Sequence, residues 1–96
     1  MKAEYKLRIP QKVAELIRGM HPEIKKKIKA SLKAILIDPY VGKALKNELA
    51  GLRSFRASKF RIIYRIAKDN VIEMVAVGPR KSIYEETFRL LSKKGS

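Results

Sequence analysis

Cysteine is absent from these 96 residues, histidine occurs once, and acids are scarce: 9 Asp plus Glu stand against 23 Lys plus Arg. Without cysteine there is no disulfide framework, no thiolate zinc site and no thiol nucleophile. The single histidine, His21, excludes a multi-histidine metal centre and leaves no Ser-His-Asp arrangement that does not use it. Long apolar runs are missing too. The longest unbroken ones, Ala34–Ile37 and Met74–Val77, hold four residues each, where a helix needs about 20 to cross a bilayer. The start, Met1-Lys2-Ala3-Glu4-Tyr5-Lys6, has no apolar core of a secretory signal, so a soluble, cytoplasmic protein is expected, with no membrane partner. Glycine-rich phosphate loops and metal-ligand spacings are also lacking, so neither cofactor nor metal is expected.

What is present is an apolar fraction of 46%, enough to build a core and too much for a disordered basic tail. The length fits one domain over 1–96, which should bury roughly 60–65% of its unfolded-chain surface; a two-domain cofactor-binding enzyme is excluded. The formal net charge of +14 points to a polyanionic partner such as nucleic acid, the ribosome, a membrane surface or an acidic protein.

No repeat, low-complexity tract or linker divides the chain, and Pro and Gly occur singly as punctuation. Residues 2–9 alternate polar side chains with Ala3, Tyr5, Leu7 and Ile9, the pattern of a half-buried strand. Pro10 ends it and suits the first turn of a helix over 11–20, where Val13, Leu16, Ile17 and Met20 recur at helical spacing. His21-Pro22 opens a second helix. Its apolar face is Ile24, Ile28, Leu32, Ile35 and Leu36, and its outer face carries Lys25, Lys26, Lys29 and Lys33. Asp38-Pro39 closes it. A basic loop over 40–52 follows, with a short strand expected at 44–49.

From Arg53 the pattern turns to β. Strands are expected at 53–57, 60–66 and 71–77, joined by turns at Ser58-Lys59 and Asp69-Asn70. Asp69 and Asn70 both tolerate φ > 0, which suits a two-residue hairpin. That turn pairs residues whose numbers sum to 139: Tyr64 faces Val75, Ile62 faces Val77, and Arg61 faces Gly78. One face is then apolar; the other holds Arg61, Ile63 and Arg65. Gly78-Pro79 stops the last strand, and Ser82-x-x-Glu85 has the form of a capping box opening a short final helix. The expected fold is α+β, in the order β-α-α-β-β-β-α, with a small antiparallel sheet and two helices on one of its faces.

The most informative stretch runs from Leu52 to Lys68, with Arg53, Arg56, Lys59, Arg61, Arg65 and Lys68 and no acid. Arg80, Lys81 and Tyr84 follow the next strand. Alternating arginines can be the solvated face of a half-buried sheet. Without compensating acids, however, like charges this close cost stability unless an anion joins them, and the arginine fork suits phosphate oxygens. Lysines on a helix face are ordinarily solvated, or they track a nucleic-acid backbone. His21 reads as a helix-start residue. Glu85 and Glu86 sit where the helix dipole favours them. Tyr84 has two readings: an anchor of the last helix on the sheet, or a phenol whose pKa of about 10 is lowered by cations, making it a base for an RNA 2′-hydroxyl.

These residues resemble the RelE/ParE superfamily of type II toxin–antitoxin toxins. The likeness rests on Leu49-x-Gly51-Leu52-Arg53-Ser54-Phe55-Arg56, on Lys59-Phe60-Arg61-Ile62-Ile63-Tyr64-Arg65-Ile66 and on Gly78-Pro79-Arg80-Lys81-Ser82-Ile83-Tyr84, and it extends over nearly the whole chain. The RelE branch implies ribosome-dependent endoribonuclease activity: mRNA is cut in the A site by attack of its own 2′-hydroxyl, without a metal, and translation stops. By this resemblance Arg61 stabilises phosphate charge, Arg80 acts as acid or charge stabiliser, and Tyr84 is the base. Arg53, Arg56, Lys59, Arg65 and Lys81 would bind RNA. Ser54 departs from the pattern, standing where many members carry Lys or Arg. The implied partners are the ribosome, mRNA and an acidic, RelB-like antitoxin. Two other readings stand beside this one: a ParE-like inhibitor of DNA gyrase acting by protein contact, and a non-catalytic RNA- or ribosome-binding module.

Overall fold

The computed structural model describes residues 4–94. Its first strand, β1 (Lys6–Arg8), precedes two helices, α1 (Gln11–Arg18) and α2 (Pro22–Ile37). Four strands follow, β2 (Lys43–Ala44), β3 (Arg53–Ala57), β4 (Phe60–Ala67) and β5 (Val71–Pro79), and α3 (Ile83–Lys94) closes the chain. The sheet order is β1-β5-β4-β3-β2. Lys2 and Ala3 of the expected first strand lie outside the described residues.

The local signals explain the element ends. His21 caps α2 by accepting the Glu23 N–H on Nδ1 at 3.1 Å, with Pro22 at the first helical position where no N–H is needed. Asp38 stops α2 in an extended conformation and caps the next turn by accepting the Tyr40 N–H at 3.1 Å. Ser58, Asp69 and Asn70 all have φ near +60°, so the chain reverses at both hairpins on residues that tolerate it.

Ile28, Leu32 and Ile35 of α2 and Val13 of α1 pack on Ile62, Tyr64, Ile72, Met74 and Val77 of the sheet. Burying each large aliphatic side chain here contributes about 1.5–3 kcal/mol. The opposite face is not simply the solvated side that the alternation implied. Ile63 is fully buried there with Leu52, Ala76 and Ile83, because α3 folds back across half of that face.

Four further expectations are corrected. The sheet is mixed: β1 pairs parallel with β5, since helices and three other strands separate the two and no hairpin sets their direction. Residues 44–49 do not form a strand. Lys43–Ala44 pairs briefly with β3, and then left-handed Asn47 and Gly51 (φ 57° and 93°) curl the chain away. The β4–β5 loop spans Lys68–Asn70, so Ala67 pairs with Val71 and Tyr64 with Met74. A bulge at Val75 then restores Ile62 opposite Val77 and Arg61 opposite Gly78. By inserting one residue it turns both Met74 and Val77 toward the helices. At the start of α3, the Ser82 carbonyl accepts the Glu86 N–H at 3.0 Å, while the Glu85 carboxylate is held by Arg89 at 2.7 Å rather than closing a capping box.

Candidate active site

The tight turn at Ser58-Lys59 sets the register of β3 and β4: Ala57 pairs with Phe60, Arg56 with Arg61, and Ser54 with Ile63. Strand alternation therefore puts Ser54, Arg56, Arg61 and Ile63 on the face that α3 covers. On the other side of Arg61 the paired residue is Gly78. A Cβ on Gly78 would sit 3.0 Å from Ile83 Cδ1 and 3.5 Å from Glu86 Oε2, so the missing side chain is what lets the first turn of α3 settle onto the sheet.

That close approach carries Tyr84 across to β3. Its hydroxyl lies 3.0 Å from Ser54 Oγ, with either oxygen able to donate. Arg61 Nη1 donates to the same Ser54 oxygen at 3.4 Å. The Arg61 Nε–H is buried and has no hydrogen-bond partner among the described residues, an unmet donor on a charged group that costs about 1–3 kcal/mol. One phenol and one guanidinium thus meet on a buried serine.

The remaining cations gather at the same end of the hairpin. Arg56 is exposed, with its Nε–H on the Ser58 carbonyl at 3.2 Å. The Arg80 N–H donates to the Lys59 carbonyl at 3.1 Å, tying Arg80 and the adjacent Lys81 to the turn that carries Lys59. Lys27 reaches the turn from α2, donating to Ser58 Oγ at 3.3 Å. Lys59, Arg80 and Lys81 are exposed. Glu86 is the carboxylate beside Gly78, while Glu85 is committed to Arg89.

Two of the arginines singled out from the sequence stand elsewhere. Arg53 lies on the α1–α2 face, paired in register with Tyr64. Its Nε donates to the Gly42 carbonyl and its Nη2 to that of Tyr40, each at 3.1 Å, and its guanidinium lies over the Tyr40 ring at 5.2 Å. It clamps a loop, so it does not replace the cation that Ser54 lacks. Arg65 shares the α3 face but lies four residues along β4, about 13 Å away at the usual strand rise. It is paired with Glu73 at 2.6 Å.

The loop that Arg53 clamps is also tied to Tyr64, whose hydroxyl donates to the Pro39 carbonyl at 2.6 Å and accepts the Gly42 N–H at 3.1 Å. Burial pushes the Tyr64 phenol above its ordinary value, against the lowering effects of the Gly42 N–H and Arg53. Any Cβ at Gly42 would collide with that hydroxyl.

Sequence reasoning missed Ser54 as a contact of the site and Tyr64–Gly42 as the loop anchor. A signal for the first was available: a two-residue turn at 58–59 places Ser54, Arg56 and Arg61 on one face. Among the described residues, no three His, Asp or Glu side chains gather in a way that could hold a metal ion, and no helix is long and apolar enough to cross a membrane.

This arrangement, a five-stranded sheet with two helices on one face and a third on the other, is a fold shared with solved RelE toxins. The chain is similar to the toxin–antitoxin complex RelBE2 from Mycobacterium tuberculosis, at 26% identity over 81% of this chain and 100% of that one, with a TM-score of 0.70. It is similar to a mutant of the E. coli toxin RelE in the free state, at 18% identity over 96% and 98% of the two chains, TM-score 0.74. A third likeness is to the YoeB–YefM complex from Staphylococcus aureus, at 23% identity over 78% and 95%, TM-score 0.65. Comparison with curated protein sequences finds no match. Residues 5–84 match the family described as ParE toxin of type II toxin-antitoxin system, parDE, and the chain belongs to that family.

Proposed function

We propose that this toxin is a ribosome-dependent mRNA endoribonuclease that cuts in the A site by attack of the RNA's own 2′-hydroxyl, with side chains rather than a metal handling the charge. The observation that carries the reading is the meeting of Tyr84 and Arg61 on Ser54. It sets a potential base beside a fixed cation on an edge rich in further arginine and lysine.

In the reaction, Tyr84, having first lost its phenolic proton to solvent, takes the proton of the 2′-hydroxyl as O2′ bonds to phosphorus. The P–O5′ bond breaks, leaving a 2′,3′-cyclic phosphate and a 5′-hydroxyl. Arg61 and Arg56 face the extra negative charge of the phosphorane, where one preorganised donor supplies about 3 kcal/mol. Arg80 supports the departing oxygen. Its guanidinium keeps its own protons at any working pH, so the proton on the leaving group comes from solvent. Lys59 and Lys81 hold the RNA backbone. The ribosome's part is to present the mRNA in line for attack, which a site with no histidine base needs more than most.

The partners that follow are ribosome and mRNA in the cytoplasm, together with an antitoxin. Related toxins have been solved with antitoxins such as RelB, and a chain of net charge +14 fits an acidic antitoxin wrapped over its basic edge. The family is that of ParE toxins, so the ParE-like reading that the sequence resemblance implies, inhibition of DNA gyrase by protein contact, stands as the second one. A translation reaction with a defined mRNA, run beside a DNA supercoiling assay, separates the two: cut mRNA with undisturbed supercoiling supports the nuclease, and the converse replaces it.

A further inference from the structure

Three buried side chains of the described core are polar: Ser31, Ser54 and Thr87. Two of them are satisfied within their own helix. Ser31 Oγ donates to the Lys27 carbonyl at 2.8 Å, and Thr87 Oγ1 donates to the Ile83 carbonyl at 2.7 Å; both are ordinary four-residue back-bonds. Ser54 differs. It is 1% exposed and spends its hydroxyl on side chains of two other elements, Tyr84 of α3 and Arg61 of β4.

The chemistry of a hydroxyl gives this arrangement a direction. Serine has one proton to donate and two lone pairs with which to accept. The guanidinium can only donate, so Ser54 Oγ accepts from Arg61 and its own proton stays free. While Tyr84 is a phenol, either oxygen donates to the other. Once Tyr84 has given up its proton, the phenolate can only accept, and the Ser54 proton is already within reach at 3.0 Å. The Arg61 cation polarises that same hydroxyl, and successive hydrogen bonds in a low-dielectric site reinforce each other.

We propose that Ser54 is a positioning residue: it holds the Tyr84 oxygen at the site and couples it to Arg61, turning its proton onto Tyr84 as the phenol is deprotonated. This rests on the endoribonuclease reading, within which it assigns a role to a side chain that itself touches no substrate.

The test is a double-mutant cycle in ribosome-bound mRNA cleavage, with Ser54→Ala, Tyr84→Phe and both together, each also followed by thermal unfolding of the full chain. Ser54→Ala is expected to lower kcat about 10–100-fold and leave KM within about twofold, the range of one hydrogen bond to a charged group. Added to Tyr84→Phe it should cost less than about a further twofold, because its partner's chemistry is already gone. Ser54→Thr, which keeps the hydroxyl, should recover most of kcat. Wild-type kcat in Ser54→Ala, or losses that multiply in the double variant, would overturn the proposal. So would coupling between the two positions in melting temperature without coupling in kcat, which leaves Ser54 a fold residue only. If the wild-type chain cuts no mRNA, the nuclease reading fails by itself. The melting-temperature cycle then decides the contact alone: additivity shows that no contact forms, and coupling leaves Ser54 a fold residue, and either result overturns the positioning role.

Discussion

Arg56 and Arg61 stand directly opposite one another across the β3–β4 hairpin. Like charges at facing strand positions are destabilising by roughly 0.2–1 kcal/mol, so the hairpin holds this pair at a cost that a bound phosphate would relieve. Arg56→Gln is therefore expected to stabilise the free protein by about 0.5 kcal/mol in urea unfolding at low salt. The gain should fade as salt screens the pair. The same variant should bind RNA more weakly and with a shallower salt dependence.

Tyr84→Phe keeps the ring that anchors α3 and removes only the oxygen. Its kcat for mRNA cleavage should fall about 10²–10⁴-fold, the usual contribution of a general base, with the melting temperature changed by a few degrees. Arg61→Lys keeps the charge and loses the planar fork; a fall of about 10²-fold is expected, comparable to removing one preorganised donor. Single-turnover cleavage on stalled ribosomes measures both.

Tyr64 and Gly42 concern stability alone. Tyr64→Phe leaves the Pro39 carbonyl and the Gly42 N–H without their partner, a loss of about 1–3 kcal/mol at neutral pH. Because burial raises the Tyr64 pKa in the folded chain, the protonated phenol is the form that folding favours. That contribution is complete below the unfolded value of about 10 and is lost as pH rises through the folded value. Unfolding free energies measured from pH 8 to 11 should thus fall more steeply in the wild type than in Tyr64→Phe. Gly42→Ala should be destabilised at every pH, by about 1–3 kcal/mol for an overpacked site.

Arg53 and Arg56 are three residues apart, yet they point to opposite faces of β3 and should separate cleanly by measurement. Arg53→Gln gives up hydrogen bonds to Tyr40 and Gly42. It should lower the melting temperature while leaving kcat on ribosome-bound mRNA near the wild-type value; Arg56→Gln should do the reverse. An Arg53→Gln protein with normal stability and impaired cleavage would contradict the placement given to Arg53.

Much of this was legible in the sequence, because the signals were local. The face of α2, the caps at His21 and Asp38, the turn residues and the alternation in β4 each depend on neighbours within a few positions. The placement of Arg61 opposite Gly78 came out correctly although the loop expected between the strands was one residue too short, because the Val75 bulge compensates. A bulge leaves no local signature, so Tyr64 was set against Val75 instead of Met74. The parallel pairing of β1 with β5 and the return of α3 over Ile63 depend on contacts between distant segments, which periodicity does not encode. At the site, the arginine cluster could be read from composition. That Arg53 faces the helices follows from strand parity, and the meeting of Tyr84 with Ser54 follows from the close seat of α3 over Gly78.

If Tyr84 and Arg61 form a cutting site for mRNA on the ribosome, as proposed, the ends of the cut message will show it. The most direct measurement maps the ends of a defined mRNA after incubation with the purified toxin, on ribosomes and free in solution. Cuts are expected within the A-site codon only when ribosomes are present, with 2′,3′-cyclic phosphate ends, and they should be lost in Tyr84→Phe and Arg61→Ala. An intact message on the ribosome, or cutting that survives both substitutions in folded protein, would contradict the proposed site.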